Sequence, residues 1–139
     1  MVYFHILIYE SIPMAKVRVY DIEDEERYKI VGNFLESVIP LKDRQDVIDF
    51  FVGLLTPSEL LMIARRIQIA QRLLVGSKYF DIQEELGVGS LTVAKVERWL
   101  HKGDDKRRKR IAMALTNAQK RMQKKEETKG NESSSMDPL

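Results

Sequence analysis

The chain has no cysteine and only two histidines, His5 and His101, among 139 residues. Disulfide frameworks, thiolate metal sites and cysteine nucleophiles are thereby excluded, and the lack of thiols fits a reducing compartment. With no second His or Cys at ligand spacing, no metal and no cofactor is expected, and His101 reads as a partner for a helix C-terminus. No activated-serine motif and no phosphate-binding glycine loop occur, and the acids Glu23 to Glu26 look like a helix start, so the pattern is not that of an enzyme. The longest apolar run, "VYFHILIY", is too short to span a bilayer and lacks the basic start and cleavage site of a signal peptide. No membrane association and a cytoplasmic address are the expectations.

What is present is charge, sorted along the chain. The formal net charge is only +2, yet residues 1–60 carry 6 Lys+Arg against 11 Asp+Glu, residues 61–100 carry 6 against 4, and residues 101–125 carry 10 against 2. The last fourteen residues carry 1 against 4. A basic block suits a polyanion, because phosphate neutralisation and counterion release supply most sequence-independent affinity for DNA. A solvated helix face is the competing reading.

The first thirteen residues read as detachable, since a chain starting at Met14 keeps every helical pattern; residues 1–20 are expected to be an extension, an upstream-start artefact or an extended arm. Val17 and Val19 alternate with polar neighbours as a short strand or an extended arm would. From Asp24 the period becomes helical, with Tyr28, Val31, Leu35 and Val38 on one face and Pro40 as the stop. A second helix starts at Asp43 and places Val47, Phe50, Phe51 and Leu54 together. Thr56-Pro57-Ser58-Glu59 reads as a capping box, and the long helix that follows carries Leu60, Ile63, Ile67, Ala70 and Leu74 as a stripe before Gly76. Leu61 and Met62 fall off that stripe. Together with Phe50, Phe51, Leu54, Leu55 and Leu60 they make more apolar surface than a short helical chain can cover, which predicts a homodimer.

In "DIQEELGVGSLTVAKVERWL", Asp81 to Leu100, glycines interrupt an otherwise helical period. Gly87 can end one helix with positive φ, Val88 can plug the corner, and Gly89 or Ser90 can cap the next helix. Tyr79, Ile82 and Leu86 then face inward before the turn, and Val93, Val96 and Leu100 after it. This is the corner pattern of a helix-turn-helix over residues 78–100. Opposite the buried positions lie Ser90, Leu91, Ala94, Lys95 and Arg98, with Thr92 at the edge. Leu91, Thr92 and Ala94 suit thymine methyls, and Lys95 and Arg98 suit phosphate.

"LLTPSEL", "RRIQIAQRLLVG" and "ELGVGSLTVAKV" stand in an order and spacing similar to those of the Trp repressor superfamily, particularly its YerC/YecD-type branch; the resemblance covers about Asp24 to Gly103. It implies an all-α fold of about six helices with a helix-turn-helix, an intertwined homodimer, and binding of double-stranded DNA at a pseudo-palindromic site. By the same resemblance Ser90, Leu91, Thr92 and Ala94 match base-reading positions, and Gln83 matches a phosphate-contacting lysine whose charge it lacks. Thr56 and Arg66 match residues of the family's effector pocket. The second pocket arginine is Lys95, while Val96 and Trp99 stand where tryptophan-responsive members have glycine and serine. Bulk at those two positions is expected to fill the pocket and leave the protein unresponsive to tryptophan; whether another small molecule serves as effector is left open. Trp99 is expected in the core, and Arg66 has Glu85 and Glu97 as candidate partners.

The expected organisation is therefore a domain over residues 21–103, a basic amphipathic helix over 104–125 and a disordered tail over 126–139. In the basic helix Gly103 precedes an Asp104 or Asp105 cap, and Lys106, Arg107 and Arg108, within "KRRKR", are assigned to DNA phosphate. The main functional reading is a repressor-like transcriptional regulator. The alternatives are a DNA-binding module of replication or transposition machinery, which usually sits in a longer chain, and a helical protein-interaction module.

Overall fold

A computed structural model describes residues 16–134. Among them are six α-helices and one short 3-10 turn: α1 (Asp24–Val38), α2 (Arg44–Phe51), α3 (Pro57–Leu74), α4 (Tyr79–Leu86), α5 (Ser90–His101) and α6 (Asp105–Ser134). No strand occurs among the described residues, so the fold is all-α. Of the strand or extended arm expected at Val17 and Val19, no strand is formed: Arg18 is extended, and Val19–Asp21 is a 3-10 turn, tied by the Arg27 guanidinium to the Val19 carbonyl at 3.2 Å. A lone period-two segment has no ladder partner, and its backbone closes locally instead. Most of the expected N-terminal extension lies outside the described residues.

The chain divides into two compact units, residues 1–61 and 62–139, with the boundary inside α3. In the first, α1 opens with Asp24, Glu25 and Glu26, favourably placed against the helix dipole. Asp43 occupies the N-cap position of α2 as expected but makes no side-chain cap bond. Phe34 of α1 meets Phe50 and Phe51 of α2, with ring centroids 6.5 and 6.4 Å away and near edge-on packing for Phe51. None of the described residues of this unit is buried. Tyr28, Val31 and Leu35, expected to face inward, line an open groove of about 450 Å³ along α1.

The Thr56 capping box forms in full. The Thr56 hydroxyl accepts the Glu59 N–H at 3.2 Å, and the Glu59 carboxylate accepts the Thr56 N–H at 2.8 Å. At the other end Gly76, at φ +83°, lets the Ser77 N–H return to the Arg72 carbonyl and its own N–H to Leu73, which closes α3 in a Schellman turn.

The second unit owns the hydrophobic core: Ile69 and Ala70 of α3, Ile82 of α4, Val93, Val96 and Leu100 of α5, and Leu115 of α6. Of the stripe expected on α3 only Ala70 is buried; Ile63, Ile67 and Leu74 remain about 40% exposed and Ile69 takes the inner place. The helix is apolar on several sides, so periodicity alone could not say which side meets α4 and α5.

The C-terminal helix is longer than expected. α6 continues through Glu126 to Ser134, over most of the segment assigned to a disordered tail. Loss of apolar periodicity does not end a helix that is already nucleated, and Glu126, Glu127, Lys129 and Glu132 are good helix formers. The Thr128 hydroxyl donates to the Lys124 carbonyl at 2.9 Å, and those of Ser133 and Ser134 to Gly130.

Because the capping box satisfies two otherwise orphaned N–H groups, Thr56→Ala should lower stability by about 1 kcal/mol, with Thr56→Ser near wild type. Chemical denaturation at equilibrium measures it; an unchanged midpoint for the alanine variant would mean that the cap contributes nothing.

Candidate nucleic-acid interface and the adjoining cavity

The turn between α4 and α5 is built as the sequence indicates. Gly87 adopts φ +61°, ψ +43°, and the Gln83 carbonyl accepts N–H groups from both Gly87 and Val88, at 2.9 and 3.3 Å. Val88 packs against the core cluster that contains Ile82 and Val93, both fully buried. Gly89 then takes extended backbone as the N-cap of α5. It has no side chain to offer, and α5 has no acid in its first turn, so the leading N–H groups are left for an external acceptor.

With Val93, Val96 and Leu100 turned inward, Ser90, Leu91, Lys95 and Arg98 are exposed on α5, Leu91 to 72%. Ala94 is half-buried between them, as is Gln83 on α4. Thr92 and Lys95 stand at the border of this face, because both also line a cavity on its far side.

Four ties hold α5 and its neighbours. The Tyr79 hydroxyl donates to the Glu97 carboxylate, joining α4 to α5. Arg72 pairs with Glu85 at 2.9 Å, joining α3 to α4, and the Gln71 amide donates to the Leu115 carbonyl at 3.1 Å, joining α3 to α6. The fourth tie involves two residues of the basic run. Arg107 and Arg108, assigned to DNA phosphate, fold back on the end of α5: Arg107 donates to the carbonyls of Trp99 (3.1 Å) and Lys102 (2.6 Å), and Arg108 to those of His101 (3.3 Å) and Gly103 (2.7 Å). Arg108 also pairs with Asp105. The carbonyls leaving a helix lack intrahelical partners, and planar guanidinium groups satisfy several at once. Lys106, Lys109 and Arg110 remain exposed.

Gly103 makes this clamp possible. It sits at φ +82°, and a Cβ there would lie 2.7 Å from the Arg107 Cδ. Asp104 caps α6 through the Arg107 N–H at 2.8 Å, as expected of one of the two aspartates. His101 places Nδ1 2.9 Å from the Glu97 carbonyl, which can only accept, so that nitrogen carries the proton.

Beside α5 lies a cavity of about 640 Å³ lined by Ile63, Arg66, Ile67, Thr92, Lys95, Val96, Trp99 and Leu115. Four of the five residues matched to an effector pocket meet here. The Thr56 hydroxyl is engaged in the capping box. Trp99 is not a core residue. The residue is 42% exposed, with the Arg107 guanidinium carbon 5.9 Å from the ring centroid. Val96 and Trp99 wall the space without filling it, because the indole is drawn toward Arg107. Arg66 does not pair with Glu85 or Glu97, which are bound to Arg72 and Tyr79. The sequence offered no sign of the arginine clamp or of Ile63, Ile67 and Leu115 as cavity wall, since these depend on how α6 packs. Among the described residues no cluster of His, Asp or Glu could hold a metal, and no helix is long and apolar enough to cross a membrane.

The family model described as Trp repressor protein matches residues 29–115, from the second turn of α1 to the last buried residue of α6. The chain belongs to the Trp repressor family. It is 33% identical over 82 residues to the Bacillus subtilis protein YerC, itself uncharacterized, an alignment covering 59% of this chain and 79% of YerC. No solved structure matches. Membership in this family makes the chain a DNA-binding regulator by type.

Gly103→Ala should destabilise the protein by about 1–2 kcal/mol, from left-handed backbone alone, and should displace Arg107. Arg107→Ala should release the indole, seen as stronger acrylamide quenching of the single tryptophan's fluorescence. Identical quenching in wild type and variant would show that the clamp does not hold Trp99.

Proposed function

We propose that this Trp repressor family protein is a homodimeric, sequence-specific double-stranded DNA-binding regulator, repressor-like and cytoplasmic, that reads its site with α5 and does not respond to L-tryptophan. The observation that carries the reading is the exposed face of α5, opposite a fully packed inner face and reached through a glycine turn. Ser90, Leu91, Thr92 and Ala94 meet base edges; Leu91 and Ala94 supply methyl contacts for thymine and the hydroxyls bond bases or phosphate. Lys95 and Arg98 meet phosphate, Gln83 makes an uncharged contact beside them, and Lys106 adds charge at the start of α6.

Dimerisation is supported by the first unit, where Tyr28, Ile30, Val31, Leu35 and Ile39 are each more than half exposed and no described residue is buried. Apolar surface of that extent marks an interface. A two-fold dimer places its α5 helices on a pseudo-palindrome with half-sites about one helical turn, ~34 Å, apart. Selection of bound sites from random duplexes, on protein sized by sedimentation, tests both: a folded monomer at micromolar concentration, or a single unpaired half-site, contradicts the reading. Replacing Leu91 and Thr92 together by alanine should reduce discrimination between the selected site and unrelated duplex by about 1–3 kcal/mol per lost base contact, with the salt dependence unchanged.

The absence of a tryptophan response is supported by Lys95 in the cavity wall, which lacks the planar donor face of arginine. A ligand held by the folded state alone adds about 2.7 kcal/mol at a hundredfold excess over its dissociation constant. Millimolar L-tryptophan should leave both the melting temperature and the DNA affinity where they are; a rise in both would establish it as corepressor.

A further inference from the structure

α6 runs on for nineteen residues after Leu115, the last residue of the family match and the last that is buried. From Lys106 to Lys125 it contains nine cations and not one acid. Lys106, Lys109, Arg110, Lys120, Arg121 and Lys124 are all exposed, and none is in an ion pair among the described residues. At about 100° per residue they fall within about 60° of one line along the helix, opposite Ile111, Leu115 and Ala118. Lys106 with Arg110 and Lys120 with Lys124 are i,i+4 pairs of like charge, an arrangement that weakens a helix unless an anion lies over it. A merely solvated helix face would intersperse acids, as this chain does elsewhere, with Glu25 and Lys29 paired on α1 at 3.1 Å.

The spacing is informative as well. The six cations form two triads, one around residue 108 and one around residue 122, about 20 Å apart along the axis at ~1.5 Å per residue. Between them the same line carries Met113 and Asn117, uncharged and exposed. A duplex presents two walls of phosphate on either side of a major groove about 12 Å wide, and extended lysine and arginine side chains bridge the remaining distance. A lipid surface is a poorer match, because Met113 is the one large apolar side chain on this line.

We infer that the outer face of α6 is a second, sequence-independent DNA-binding surface, which lies across a groove of duplex DNA with Lys106, Lys109 and Arg110 on one phosphate wall and Lys120, Arg121 and Lys124 on the other. This rests on the DNA-binding reading above and extends it past the family domain.

The test uses the full chain with Lys120, Arg121 and Lys124 replaced together by glutamine, beside a control in which Lys120 and Lys124 become arginine. Affinity for a selected site and for an unrelated duplex is measured over a range of KCl concentrations, with far-UV circular dichroism to verify that both variants keep their helix. The glutamine variant should lose about 2–3 units of the slope of log K against log[salt], near 0.9 for each phosphate contact, equally on both duplexes, while the arginine control keeps the wild-type slope. A glutamine variant that stays helical and keeps the wild-type slope overturns the inference and leaves the role of α5 standing. A wild-type protein that binds neither duplex overturns both. Loss of binding to anionic vesicles with duplex affinity unchanged would reassign the face to lipid and likewise overturn it.

Discussion

Ile69, Ile82 and Val93 come from three different helices and have no exposure to solvent at all. Their mutual contact is the constraint on which the second unit depends. Complete burial of each stabilises by about 1.5–3 kcal/mol, and it also fixes the rotation of α5 about its own axis. Once Val93 is inside, Val96 and Leu100 follow by helical period, and Leu91 and Arg98 have no choice but to face out. The glycine turn supplies the angle between α4 and α5, and the packed junction supplies the register.

The features legible in the sequence are those fixed within a few residues. The capping box at Thr56 and Glu59, the positive-φ stops at Gly76 and Gly87, and the inward triplet Val93, Val96 and Leu100 all rest on local backbone chemistry and period. What escaped the reading rests on tertiary choice. α3 has apolar residues on several sides, and only the approach of α4 and α5 selects Ile69 over Ile67. Arg107 and Arg108 look identical to their neighbours in "KRRKR", and their inward turn becomes visible only when the end of α5 brings unpaired carbonyls beside them. Trp99 looked like core because single tryptophans usually are; the same clamp draws its ring to the edge of the cavity. The length of α6 was misread for another reason, since compositional polarity signals absence of a packed core and not absence of a helix.

Two kinds of positive charge are thus interleaved in one run. Arg107 and Arg108 are spent on the protein's own backbone, where the fork of a guanidinium does what an ammonium cannot. Lys106, Lys109 and Arg110 point away from it. The division follows helical geometry: consecutive residues are rotated by about 100°, so five adjacent cations cannot share one surface. Counting charge along the sequence therefore overstates the field that any single partner meets, and it merges structural cations with those available for binding.

The lack of a buried residue among the described residues of the first unit has a thermodynamic meaning. A segment that hides little of its apolar surface has little to set against the entropy lost on ordering, so the helices of residues 24–51 draw their stability from whatever comes to cover them. For such a segment, order and assembly are a single equilibrium governed by mass action. The second unit has its own core; in the homodimer proposed above, the order of the first would depend on protein concentration.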